Sequence, residues 1–135
     1  MQRYIEQCNT AWEAGLAPQT SVVFGYPQET KETIQQTFEV CRQAKCWPST
    51  GFVLPLPGAA IYQIARDRGL IEADEEQYLL RIGDRQDLHV NMTQMPDDEL
   101  VGRVTDGLVN LKNQLGIPLS DDQVIKSVTY KAAKR

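Results

Sequence analysis

Ser21-Val22-Val23-Phe24-Gly25-Tyr26-Pro27-Gln28-Glu29-Thr30 is the stretch whose reading decides the fold. Val22, Val23 and Phe24 form an unbroken apolar run, which suits a strand buried on both faces, as in a parallel sheet covered by helices. Gly25 and Pro27 stop it, because glycine permits a sharp turn or a close approach to a ligand and proline cannot donate to a ladder. Thr30 is placed to cap a helix that begins at Lys31. The predicted order is strand, tight loop, helix.

Working outward, the same grammar returns at Phe52-Val53-Leu54, where Pro55, Pro57 and Gly58 break the run and a helix follows over Ala59 to Arg68. One helical segment, Lys31 to Lys45, separates the two runs. A β-α-β-α unit of this length predicts parallel strands joined by a right-handed crossover. Ligands of α/β folds bind beyond the carboxyl ends of such strands, which directs attention to Gly25–Glu29 and Pro55–Ala59.

With 135 residues the chain can build one domain with a real core. It is too short for a complete eight-unit barrel, which takes roughly 250 residues. Its 14 basic and 18 acidic residues give a net charge of -4 with no strong basic block, so no nucleic-acid surface is expected. Lys126, Lys131, Lys134 and Arg135 read as cations near a helix C-terminus. No apolar run is long enough for a bilayer and no signal-peptide pattern opens the chain; no membrane association and a cytoplasmic location are expected. Cys8, Cys41 and Cys46 are odd in number and follow no metal-ligand spacing, so free thiols are expected, Cys8 and Cys41 on apolar helix faces.

Helical periodicity predicts a first helix over Met1 to Glu13, with Ile5, Cys8 and Trp12 on one face and Gly15 as its stop. The helix from Lys31 turns Ile34, Phe38 and Cys41 to the sheet. Trp47 to Thr50 reads as a link, and the helix from Ala59 buries Ile61, Ile64 and Ala65 and stops at Gly69. Beyond Ile71 the pattern becomes mainly helical, dividing the chain into 1–71 and 72–135. Asp74 with Gln77 forms a capping box for a short helix with Tyr78, Leu79 and Ile82. Leu88 to Thr93 alternates like a short strand or an extended segment. Asp97 to Leu115 is the longest helix, with Leu100, Val104, Leu108, Leu111 and Leu115 as its stripe and Gly102 and Gly107 as weak points. Ser120 with Gln123 opens a last helix containing Val124, Ile125 and Val128.

Candidate chemistry is sparse. His89 is the only histidine and no Gly-x-Ser-x-Gly elbow is present, so neither a multi-histidine metal site nor a serine relay is expected. Asp84, Asp87, Asp97, Asp98 and Glu99 read as caps and solvated turns. Gly25 to Thr30 lacks the Lys-Ser/Thr ending of a P-loop and the spaced glycines of a dinucleotide fingerprint. Gly25 could admit a ligand edge to the strand end, and Glu29 could accept hydrogen bonds from it.

Taken together, Gly-Tyr-Pro-Gln-Glu-Thr at 25–30, Glu-Thr-Ile at 32–34, Phe-Val-Leu-Pro-Leu-Pro-Gly at 52–58, Ile61-Tyr62 and Arg68-Gly69-Leu70-Ile71 resemble the later part of the radical S-adenosylmethionine (SAM) enzymes. In that superfamily the fifth strand ends in Gly-Phe-Pro-Gly-Glu-Thr, and the sixth is followed by Pro-Gly-Thr-Pro-Leu-Tyr and a helix ending in Gly-Leu-Ile. Gln28 here replaces a glycine, and Ala59-Ala60 replaces Thr-Pro. The region Tyr78 to Leu100 is similar to members carrying an upstream cobalamin-binding domain, the group that includes anaerobic magnesium-protoporphyrin ester cyclases.

The resemblance implies an α/β fold that is a partial (βα) barrel fragment, with two parallel strands and a helical C-terminal tail. It also implies a small-molecule substrate and a radical reaction such as oxidative cyclisation or methyl transfer. SAM would be bordered by Gly25, Tyr26, Leu54 and Pro55, with Glu29 near, and would act with a [4Fe-4S] cluster and, for the narrower group, cobalamin. The cluster-binding Cys-x3-Cys-x2-Cys motif is missing from this sequence. A helix with no strand before it agrees with a C-terminal fragment, inactive alone, whose open sheet edges invite self-association. The other reading is a small non-catalytic α/β protein-interaction module with its C-terminal helices as the partner surface.

Overall fold

The computed structural model describes residues 1–125. They form an α/β arrangement, mostly helical, with a two-stranded parallel open sheet. β1 (Thr20–Phe24) pairs β2 (Pro48–Phe52) from Thr20↔Pro48 to Phe24↔Phe52, with α2 (Lys31–Gln43) as the crossover. The Val53 N–H still donates to the Phe24 carbonyl at 2.7 Å, extending the pairing by one residue.

The second strand therefore begins at Pro48, inside the stretch expected to be a link, and Val53 and Leu54 lead out of it. Since N–H groups alternate along a strand and that of Val53 faces β1, those of Ser49 and Gly51 do too. The missing N–H of Pro48 points to the other side, where the proline costs no ladder bond. The expectation of two buried faces also fails. Phe24 and Phe52 are buried on the helix-covered face, whereas Ser21 and Val23 are exposed on the opposite one.

α1 (Gln2–Glu13) buries Ile5 and Cys8, and its Trp12 indole N–H donates to the Ala44 carbonyl at 3.0 Å. Cys8, Ala44 and Cys46, with Tyr4, make a small cluster at the amino end of the sheet. Burial pushes the thiols of Cys41 and Cys46 up to about 11 and about 12. α2 starts as expected, with Thr30 and Thr33 exchanging backbone and side-chain hydrogen bonds. It ends short of Lys45, which takes a left-handed φ of 54°, and the Cys46 N–H closes on the Cys41 carbonyl at 3.0 Å. The same closure finishes α1 at Gly15.

α3 (Ala60–Asp67) buries Tyr62 and Ala65, with Ile61 partly buried against the same cluster, whereas Ile64, expected inside, is 39 % exposed. The tyrosine has partners that an isoleucine would lack: its hydroxyl donates to Glu75 at 3.0 Å and its ring lies 5.9 Å from that of Tyr78. α4 (Glu75–Arg81) is capped by Asp74, which accepts from the N–H groups of Glu76 and Gln77. Leu88 to Thr93 is not a strand. The Asn91 side chain accepts from the Thr93 N–H and hydroxyl and donates to the Met95 carbonyl, so local bonds replace a ladder while Val90, Met92 and Met95 are buried.

α5 (Asp97–Leu115) runs as expected to Gly116 and packs on α2, burying Leu100, Val104, Leu108 and Leu111 with Phe24, Ile34, Phe38 and Phe52. Its buried Lys112 donates to the Leu119 carbonyl at 2.6 Å and pairs with Asp121. The Ser120 side chain caps nothing, and Asp121–Gln123 is a single 3-10 turn. The remainder of the helix expected from Ser120, including Val128, lies outside the described residues, as do the cations Lys126, Lys131, Lys134 and Arg135. Among the described residues no helix is long and apolar enough to cross a membrane.

Candidate functional site

β1 and β2 run parallel and leave the sheet at the same end, so their outgoing bends sit side by side. Gly25 makes the first bend at φ +100°, a conformation that other residues adopt only under strain. A Cβ here would also stand 3.3 Å from Val53 Cγ1. Glu29 then folds back: its N–H donates to the Tyr26 carbonyl at 3.0 Å, and its Oε2 accepts the Gly25 N–H at 2.5 Å. Burial raises the Glu29 carboxyl above its ordinary value, with the Gly25 N–H opposing that shift.

The second bend is held from the tail. Pro55 is buried, and the hydroxyl of Tyr78, itself fully buried, donates to the Pro55 carbonyl at 2.6 Å. Leu54 is half-buried, whereas Tyr26 and Leu56 are exposed. The predicted residues Gly25, Tyr26, Glu29, Leu54 and Pro55 thus share one end of the sheet.

Tyr78 and Leu100 belong to the same end but were not anticipated there. Leu100 Cδ2 would lie 3.8 Å from a Cβ at Gly25, so α5 closes over the first bend from its own N-terminus. Sequence periodicity put both residues on apolar helix faces without saying what those faces meet.

The remaining candidates play structural parts. His89 Nε2 accepts the Gly83 N–H at 3.2 Å and sits 3.0 Å from the Asp84 carbonyl oxygen, tying a turn. Asp84 accepts from the Gln86 N–H, Asp97 from the Asn91 amide, and Glu99 from Arg103. An open groove of about 790 Å³ between α2 and α5 is lined by Phe38 and Gly107 among others and does not include the strand-end loops.

Fit to the expected cofactors is uneven. Gly25 is buried, with its N–H on Glu29 and with Val53 and Leu100 against the space a side chain would take, so a flat ligand would reach the strand ends from the exposed Tyr26 rim. The three thiols do not suit an iron-sulfur cluster, being buried, with Cys8 and Cys46 clustered at the amino end of the strands. Among the described residues no group of three or more His, Cys, Asp or Glu side chains is arranged to hold a metal. Compared with known proteins, the chain matches no family model, no curated protein and no solved structure.

Proposed function

We propose that this chain carries two consecutive βα units of a partial (βα) barrel from a radical SAM enzyme. In that enzyme the bends after β1 and β2 border bound SAM. The reading is carried by one observation: the motif-bearing loops Gly25–Glu29 and Leu54–Pro55 leave two paired parallel strands at the same end, with Gly25 against Val53. The backbone of Gly25, Tyr26, Leu54 and Pro55 meets the adenine and ribose. Glu29 holds the first bend in shape by accepting the Gly25 N–H.

Reductive SAM cleavage needs an electron from a [4Fe-4S] cluster whose cysteine ligands lie on polypeptide beyond this sequence. The chain alone therefore does not turn over. Its role is to complete the cofactor pocket and to present a small-molecule substrate to the radical, with cobalamin as an added cofactor if the narrower resemblance holds.

The test is the reading frame that contains this sequence. It is expected to encode Cys-x3-Cys-x2-Cys upstream, and its product, loaded anaerobically with iron and sulfide, is expected to form 5′-deoxyadenosine from SAM when reduced. In that protein Gly25→Val should weaken SAM binding by roughly tenfold or more, since a β-branched residue is both strained at positive φ and forced against Val53. A frame without the cysteine triplet, or a cluster-loaded product that leaves SAM intact, overturns the assignment and leaves the interaction module.

A further inference from the structure

Among the described residues, the sheet face turned away from α2 and α5 holds a cation with no carboxylate partner. Arg85, in the turn after α4, is joined to β2 twice: its carbonyl accepts the Phe52 N–H at 2.7 Å, and its guanidinium donates to Ser49 Oγ at 2.7 Å. Gly51 lets the guanidinium lie against the sheet, since a Cβ there would stand 2.8 Å from an Arg85 terminal nitrogen. Ser49 and Gly51 pair in register with Ser21 and Val23, so all four share the face that α2 and α5 leave uncovered. Among the described residues Arg85 takes part in no ion pair. One of its five N–H donors is used by Ser49, and the others keep the planar fork that matches a carboxylate.

The geometry points to Arg85 as the anchor for a carboxylate group on a small organic ligand lying across this face. Val23, 38 % exposed, offers an apolar flank beside the fork, and the Ser21 hydroxyl, bonded to the Ser49 carbonyl at 3.2 Å, offers a polar one. A ligand with a charged head and an apolar body fits that pairing better than a fully hydrated inorganic anion. Gly51 lies two and Ser49 four residues before Val53, and strands rise about 3.3 Å per residue, so the guanidinium, held between the two, sits roughly 7–13 Å from the level of the Gly25 bend. This deepens the proposed function by naming the substrate class as a carboxylic acid, and it rests on that reading for the word substrate; the anion site itself does not.

The test uses this chain without cofactor, which separates it from the SAM experiment. Octanoate is titrated into isotope-labelled protein and followed by the Arg85 Nε–H resonance and the amides of Ser21, Val23 and Gly51, with octanamide and inorganic phosphate in parallel. Octanoate is expected to shift these signals saturably and octanamide to leave them unmoved. Phosphate should bind at least several-fold more weakly. Arg85→Gln should weaken octanoate by roughly tenfold to a hundredfold. That variant retains the carbonyl bond to Phe52; Val23→Asp, at an exposed position, serves as a second variant that supplies an internal carboxylate and should suppress the shifts. Equal response to octanamide, equal affinity for phosphate, or octanoate binding that survives both variants overturns the assignment.

Discussion

Phe38 fills the notch that Gly107 leaves in α5: a Cβ at position 107 would stand 2.2 Å from Phe38 Cε2. The glycine that weakens the helix as an isolated segment is what allows it to seat against α2. Gly107→Ala should lose about 2 kcal/mol, as overpacking outweighs roughly 1 kcal/mol of helix propensity. At Gly102 a Cβ meets nothing within 4 Å, so Gly102→Ala should gain about 0.5–1 kcal/mol. Urea unfolding of the two variants checks the pair, and shifts of the same sign would sink the account.

Lys45 closes α2 in the left-handed region at φ 54°. Such a backbone costs a side-chain-bearing residue about 1 kcal/mol or more, and glycine escapes it at a smaller entropic cost. Lys45→Gly is therefore expected to raise stability by about 0.5–1 kcal/mol in thermal or urea unfolding. A loss of similar size would mean that the lysine side chain contributes more than its backbone costs.

The hydroxyls of Tyr78 and Tyr62 should prove unequal. Tyr78→Phe leaves the buried Pro55 carbonyl without its donor and should cost about 1–3 kcal/mol. Tyr62→Phe frees a Glu75 carboxylate that water can reach, and should cost about 0.5 kcal/mol. Calorimetry of the two variants decides. Equal losses would show that the Pro55 bend does not depend on the tail.

Glu29 gives a pH signature. Burial raises its carboxyl in the folded chain, so the folded state holds that proton more tightly than the unfolded one. The contribution is fully present below the ordinary carboxylate value and is lost as pH rises through the folded value. Glu29→Gln keeps an acceptor for the Gly25 N–H but removes the titration. Its stability relative to the parent should be most favourable near pH 7 and decline as pH falls toward the ordinary carboxylate range. Arginine partners hold Glu39 at about 2 and lower Glu72 and Glu99; the acid loss this causes is shared by both proteins and cancels. Urea midpoints across that range that move in parallel would contradict the raised carboxyl.

Where several local signals agreed, the sequence was readable. α5 has acidic residues at its start, an apolar stripe and a terminal glycine, and both ends fall where expected. The first strand and the Thr30 cap follow the same logic. Misreadings arose where a residue type carried its usual local meaning into an unusual place: Pro48 as part of a link when it opens β2 with its missing N–H facing away from β1, and Lys45 as helix when it is the left-handed closer. In Leu88 to Thr93 an alternating pattern was produced by a loop bonded to itself. Of the strand-end group, Gly25, Tyr26, Glu29, Leu54 and Pro55 were readable as neighbours because the crossover dictates it. Tyr78, Leu100 and Arg85 reach the sheet from distant sequence, and no local signal records which side chain they meet.

The strands meet across a separation of 28 residues, from Ser21 to Ser49, with only α2 between them. α5 must return from the far end to seat on Phe38, and until it does Phe24 and Phe52 lack much of their cover. Short closures form faster than long ones. As the chain leaves a ribosome, the paired strands and α2 can assemble first but stay wet and sticky until Leu108 emerges, and that interval is when a chaperone would matter most to this polypeptide.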